Sequence, residues 1–131
     1  MTYDQLKNDA EAIGESNDCA VRTVAVITGK PYKDVHSKFR CWGRKKGRST
    51  PRYMTKCVID DFGFKLEDVT NKFGSKTVRT LERELPCKGV FLIAVRGHIL
   101  GARDGQIFDW TQGRLHRIQA VYKVYPSESK R

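Results

Sequence analysis

Residues 89–110 read GVFLIAVRGHILGARDGQIFDW, and the fold turns on them. GVFLIAV is an unbroken apolar run, far too short to span a bilayer but the right length for a strand buried on both faces. HILGAR and QIFDW follow, separated by Asp104-Gly105, a strong short-range signal for a two-residue hairpin turn. With those two residues in the turn, Arg103 pairs with Gln106, Leu100 faces Asp109, and His98 faces Thr111. His98, Leu100, Ala102, Ile107, Asp109 and Thr111 then share one side of the ladder. His98 and Asp109 become diagonal neighbours, roughly 7–8 Å apart between backbones and within side-chain reach. A longer turn or a bulge would flip the parity, turn Asp109 away and leave His116 as the histidine of interest. RIQAVYKVY, residues 117–125, supplies a last strand.

Upstream the pattern is helical. Tyr3, Leu6, Ala10 and Ile13 recur at helical spacing over the first dozen residues, and Gly14 ends that segment. Asn17 and Asp18 are good N-caps for CAVRTVAVIT (Cys19–Thr28), a buried helix closed by Gly29. A further helix opens at Pro31 with Tyr32, Val35 and Phe39 on one face and ends near Gly43. Another starts at Thr50-Pro51 and runs through Met54, Val58 and Ile59 to Gly63. Phe64 and Leu66 alternate like a short strand. Val78, Leu81 and Leu85 mark a last helix, which Pro86 ends. Helices first and antiparallel strands last predict an α+β fold, N-terminal helices packed on a C-terminal antiparallel sheet.

The chain has 131 residues, 39% hydrophobic and 31% charged, which predicts one compact domain over residues 1–125 and a polar tail over 126–131. The opening MTYDQLKNDAEAIG lacks an apolar targeting segment, so a soluble cytoplasmic protein with no membrane partner is expected. In that compartment Cys19, Cys41, Cys57 and Cys87 are expected to be reduced thiols. No CxxC occurs, and His36, Cys41 and Cys57 are poorly spaced for zinc, so neither metal nor cofactor is expected.

The net charge of +10 is concentrated. Residues 35–59 hold eight basic residues and no acidic one, whereas the remainder carries 17 basic against 15 acidic. Arg44, Lys45, Lys46 and Arg48 form the densest part, a candidate polyanion-binding loop open to nucleic acid. The plainer reading is a solvated loop, and GRKKGRS has no aromatic residue on which bases could stack.

Three residues could carry chemistry. Cys19 begins a helix, where the macrodipole and unpaired N–H groups favour thiolate over thiol and can meet a developing oxyanion. A small buried thiol is the plainer reading of Cys19 alone. His98 sits at a strand break, and Asp109 in the apolar run IFDW needs a partner, since an unpaired buried carboxylate is costly. A carboxylate beside a histidine fixes its tautomer and supports its charged form.

The order Cys…His…Asp on a helical first half and a sheet-rich second half resembles papain-like cysteine peptidases. NDCAVRTVAVITGKPYKDVHSKF, with GRKKGRSTP and GHILGARDGQIFDW, is more closely similar to a group of small phage-encoded papain-like proteins. The resemblance covers about residues 17–125. It implies Cys19 as nucleophile, His98 as general base and acid, and Asp109 as the orienting residue. Members of the larger family place an oxyanion-binding glutamine several residues before the cysteine. Here Gln5 is too distant, and Asn17 is the candidate donor. The expected function is a thiol hydrolase of a peptide or isopeptide bond in a host cytoplasm, or an acyl transferase with the same triad. The alternative is a basic binding protein, acting on nucleic acid or a host factor, whose triad is vestigial.

Overall fold

The computed structural model describes residues 3–16 and 18–127. Among these residues, five α-helices and five strands follow one another as α1 (Tyr3–Ala12), α2 (Cys19–Thr28), α3 (Tyr32–Cys41), α4 (Arg52–Asp61), β1 (Phe64–Asp68), α5 (Val78–Glu84), β2 (Val90–Val95), β3 (His98–Arg103), β4 (Gln106–Phe108) and β5 (Ile118–Pro126). The fold is α+β, with one antiparallel sheet in the order β1-β5-β2-β3-β4. No helix among the described residues is long and apolar enough to cross a membrane.

The sheet is covered on both sides, more than a single helical layer on a sheet implies. Helices α1 to α4 pack with Leu92 and Val124 in one core. Val78, Leu81 and Leu85, at α5, pack with Phe91, Ile93, Leu100, Ala102 and Ile107 in the other. β2 therefore feeds both cores, as its unbroken apolar run requires, because alternate side chains of a strand point to opposite faces. Strand β5 runs through Pro126, one residue into the segment read as a tail.

The hairpin closes as its turn residues dictate. Asp104 and Gly105 both take positive φ, and the pairs Arg103↔Gln106, Ala102↔Ile107 and Gly101↔Phe108 follow. The ladder then stops. β4 ends at Phe108, and the Gln112 N–H donates to the Asp109 carbonyl at 3.2 Å, turning the chain away. The expected cross-strand pairs of Leu100 with Asp109 and His98 with Thr111 are consequently not formed.

Helix α2 lies along β3 on the face opposite Leu100. Gly101 permits the approach: a Cβ there would stand 2.9 Å from both Cβ and Cγ1 of Val26. Thr23 Oγ1 donates to the Ile99 carbonyl at 3.1 Å. At the other end Arg103 donates to the Val26 carbonyl from Nε at 3.0 Å, and from Nη2 to the carbonyls of Val26 at 2.9 Å and Ile27 at 3.2 Å. This cation meets the negative end of the helix dipole. The left-handed Gly29 closes the helix, its N–H donating to the Ala25 carbonyl. Held so, α2 sets its first residue, Cys19, beside the first residues of β3.

Candidate active site

Cys19, His98 and Asp109 meet at the end of the sheet where β3 begins. Alternation along β3 assigns His98 to the α5 side, away from α2. As the strand's first residue, however, it is free of ladder neighbours beyond it and reaches the start of α2. His98 and Cys19 share a side-chain hydrogen bond, and the Ile99 backbone N–H donates to the same sulfur. On the other side of the imidazole, Nε2 lies 2.9 Å from Asp109 Oδ2. That leaves Nδ1 as the nitrogen facing the thiol.

The electrostatics follow from these contacts. Burial alone would raise the Cys19 pKa, but the His98 hydrogen bond, the Ile99 N–H and the imidazole's charge outweigh it, and the thiol is held below its ordinary value. Burial likewise disfavours imidazolium, yet Asp109 and Cys19 raise His98 to about 9. Both shifts move the couple toward the thiolate–imidazolium form. Asp109 is buried and already charge-satisfied: its Oδ2 also accepts from the Thr111 N–H at 3.1 Å and the Thr111 hydroxyl at 2.6 Å. Trp110 covers this contact, its ring 5.3 Å from the His98 ring and 5.1 Å from that of His116. His116 thus sits behind the tryptophan rather than at the sulfur.

The loop carrying Asp109 is pinned from α5. Glu82 Oε2 accepts from the Ile107 N–H and from Gln112 Nε2, both at 2.7 Å. This anchor was not legible in the sequence, because nothing local links a helix carboxylate to a strand amide in the next hairpin.

The approach to α2 is built differently from expectation. Asp18 makes no capping bond to the helix; its Oδ2 accepts from Arg22 Nε at 3.0 Å and the Tyr32 hydroxyl at 2.7 Å. Among the described residues, the first-turn N–H groups of α2 therefore have no side-chain cap from Asp18, and they are the donors an oxyanion beside the sulfur would meet. Asn17, the other expected donor, lies outside the described residues.

Arg44 corrects the reading of the basic loop. Its side chain is buried and holds the equally buried Glu15, from Nη1 at 2.9 Å and Nη2 at 3.2 Å. Glu15 also accepts from the Gly47 N–H at 2.6 Å and contacts His36 Nε2 at 2.7 Å. Burial opposes the charge on Glu15, but these donors, Arg44 first, hold its carboxyl down at about 2. Arg44 is thus an internal strut and not a polyanion ligand, whereas Lys45, Lys46 and Arg48 are exposed. Arg44 Nε also donates to Thr50 Oγ1 at 2.9 Å, fixing the end of the loop beside the site.

Two clefts open on the sulfur and share Cys19, Thr50, Gly97 and His98 in their walls. The larger, of about 770 Å³, runs between α4 and the sheet over Ile59, Leu92, Ala94 and Tyr122. The smaller, of about 440 Å³, is bounded by Arg22, Ser49, Asp109 and Trp110. A substrate chain passing through both would cross the thiol. Among the described residues no three His, Cys, Asp or Glu side chains cluster as metal ligands; His36 is engaged by Glu15. No family model, no curated protein and no solved structure matches this chain.

Proposed function

We propose that the protein is a papain-like thiol hydrolase of peptide or isopeptide bonds. The observation that carries this reading is the continuous relay from Asp109 through His98 to Cys19 at a helix N-terminus, with a cleft on either side. In this scheme the Cys19 thiolate attacks the scissile carbonyl, and the first-turn amides of α2 receive the oxyanion. The His98 imidazolium gives its proton to the departing amine, leaving a thioester on Cys19. Neutral His98 then takes a proton from water, whose oxygen attacks the thioester, and Cys19 departs as thiolate with His98 again protonated. An amine entering in place of water makes the same centre an acyl transferase. The substrate on this reading is a peptide or protein.

The test is mass spectrometry with an electrophilic peptide probe at neutral pH. One adduct on Cys19, lost in His98→Ala, is the expected result. Equal labelling of Cys19, Cys41, Cys57 and Cys87 in the folded protein would remove the nucleophile and leave a basic binding protein as the better reading.

A further inference from the structure

The fold disposes unequally of the cations in residues 35–59. Arg44 is spent on Glu15, and Lys38 Nζ lies over the Phe62 ring at 5.6 Å. Lys45, Lys46, Arg48, Arg52 and Lys56 are exposed, and none of the ion pairs among the described residues involves them. They are also held in place. The Gly47 N–H to Glu15 fixes the loop between Lys46 and Arg48, so the cations stand on an anchored turn rather than a loose chain. The strip leads to the thiol: Ser49 and Thr50 wall the smaller cleft, and Thr50, Arg52 and Lys56 line the larger. Lys65 lines it as well. Of the carboxylates there, Asp68 is occupied by the Thr70 N–H at 2.9 Å and hydroxyl at 2.6 Å, and Asp60 lies one turn beyond Lys56.

We propose that this strip and the apolar floor of the larger cleft together bind an acidic segment of the substrate protein, which delivers the scissile bond to Cys19. The inference rests on reading Cys19 as an acyl-transfer nucleophile. Carboxylates engage Lys45, Lys46 and Arg48 outside the cleft and Arg52 and Lys56 at its wall, while an aliphatic side chain covers Ile59, Leu92 and Ala94. Each exposed pair contributes little by itself, but a fixed row of like charges selects and steers a complementary chain. A peptide fits better than nucleic acid because the strip ends on aliphatic side chains and a thiol that attacks carbonyls. Tyr53, exposed between Arg52 and Lys56, is an aromatic face a base could use, and competition with an oligonucleotide tests it.

Two matched peptidyl vinyl sulfones test this, one with Glu-Glu-Leu and one with Lys-Lys-Leu ahead of the warhead. The rate of Cys19 modification by each is divided by the iodoacetamide rate of the same protein. The acidic probe is expected to react about tenfold faster at low salt, with the preference shrinking toward one at 1 M salt, where the screening length is about 3 Å. Arg52→Glu with Lys56→Glu should invert the preference, and reversing Lys45, Lys46 and Arg48 should reduce it. Fluorescence anisotropy of a labelled Glu-Glu-Leu peptide on the Cys19→Ala protein should show saturable binding that the same reversals abolish. Equal rates for the two probes, with iodoacetamide still selecting Cys19, would overturn the acidic segment and spare the nucleophile. Loss of iodoacetamide selectivity would overturn both. A single-stranded oligonucleotide that displaces the peptide and binds more tightly at 0.15 M salt would assign the strip to nucleic acid instead.

Discussion

At the scale of single residues, the pairing of Cys19 with His98 has measurable consequences. Limiting iodoacetamide at pH 6 to 7 is expected to label Cys19 well ahead of Cys41, Cys57 and Cys87, as followed by peptide mapping. The His98 hydrogen bond and the Ile99 N–H hold this thiol below its ordinary value, which raises its reactive thiolate fraction in that range. His98→Ala should slow that labelling by about tenfold or more, since the thiol loses both its donor and its counter-charge. The His98 pKa of about 9 carries a definite sign. A group raised on folding stabilises the fold fully below its unfolded value, about 6.5. That contribution is lost as pH rises through about 9. The urea-midpoint gap between wild type and His98→Ala should therefore close above that pH. Turnover should fall over the same range as the proton destined for the leaving amine disappears. Asp109→Asn should keep the fold, because Thr111 can still hydrogen-bond it, while slowing catalysis on the order of a hundredfold or more. Wild-type turnover in Asp109→Leu would make the aspartate structural only. The His98–Asp109 contact was legible from sequence as a diagonal pair. The means was different: the strand ends at Phe108, and a turn, not a ladder, carries the carboxylate inward.

Among the elements, α2 and the hairpin were the most readable, each for a local reason. A run of apolar residues ending in glycine fixes α2, and two positive-φ residues fix the turn. The interactions that orient them were not readable, because they join residues far apart in the chain. Arg103 reaches the end of α2, Glu82 reaches the strand edge, and Arg44 reaches Glu15. Arg44 in particular lies in GRKKGRS, where composition makes every cation look solvated; only the buried carboxylate 29 residues upstream sets it apart. The α2–β3 contact supports a further prediction. Gly101→Ala would place a methyl 2.9 Å from Val26, forcing the helix off the strand. A destabilisation of about 1–3 kcal/mol is expected from such overpacking. If α2 is the element that aims the thiol, iodoacetamide labelling of Cys19 should slow in the same variant. Chemical denaturation and labelling rates, measured together, separate the two effects.

Across the whole molecule, a fully buried ion pair ties the stretch before α2 to the basic loop. Arg44→Met would strand Glu15 without its main donor, and removing one partner of such a pair costs about 3–5 kcal/mol. Glu15 adds an acid limit. Its carboxyl is held down at about 2, so its contribution is present above its unfolded value of about 4.5 and lost as pH falls through about 2. Acid titration by circular dichroism should find Glu15→Gln less dependent on pH in that window than wild type. The sheet order sets one more property of the molecule. β5 is the last strand in sequence, yet it lies between β1 and β2. While the polypeptide is being made, β1 and β2 can emerge with no partner between them, and neither sheet face can close until residues 118–126 arrive. Cys19 is thus among the earliest residues translated, whereas the strand that completes the sheet beneath its helix is the last. On the proposed reading, a chain truncated before residue 118 should show no preference for Cys19 over its other thiols in iodoacetamide labelling, and a preference equal to that of the full chain would separate the site from the closing strand.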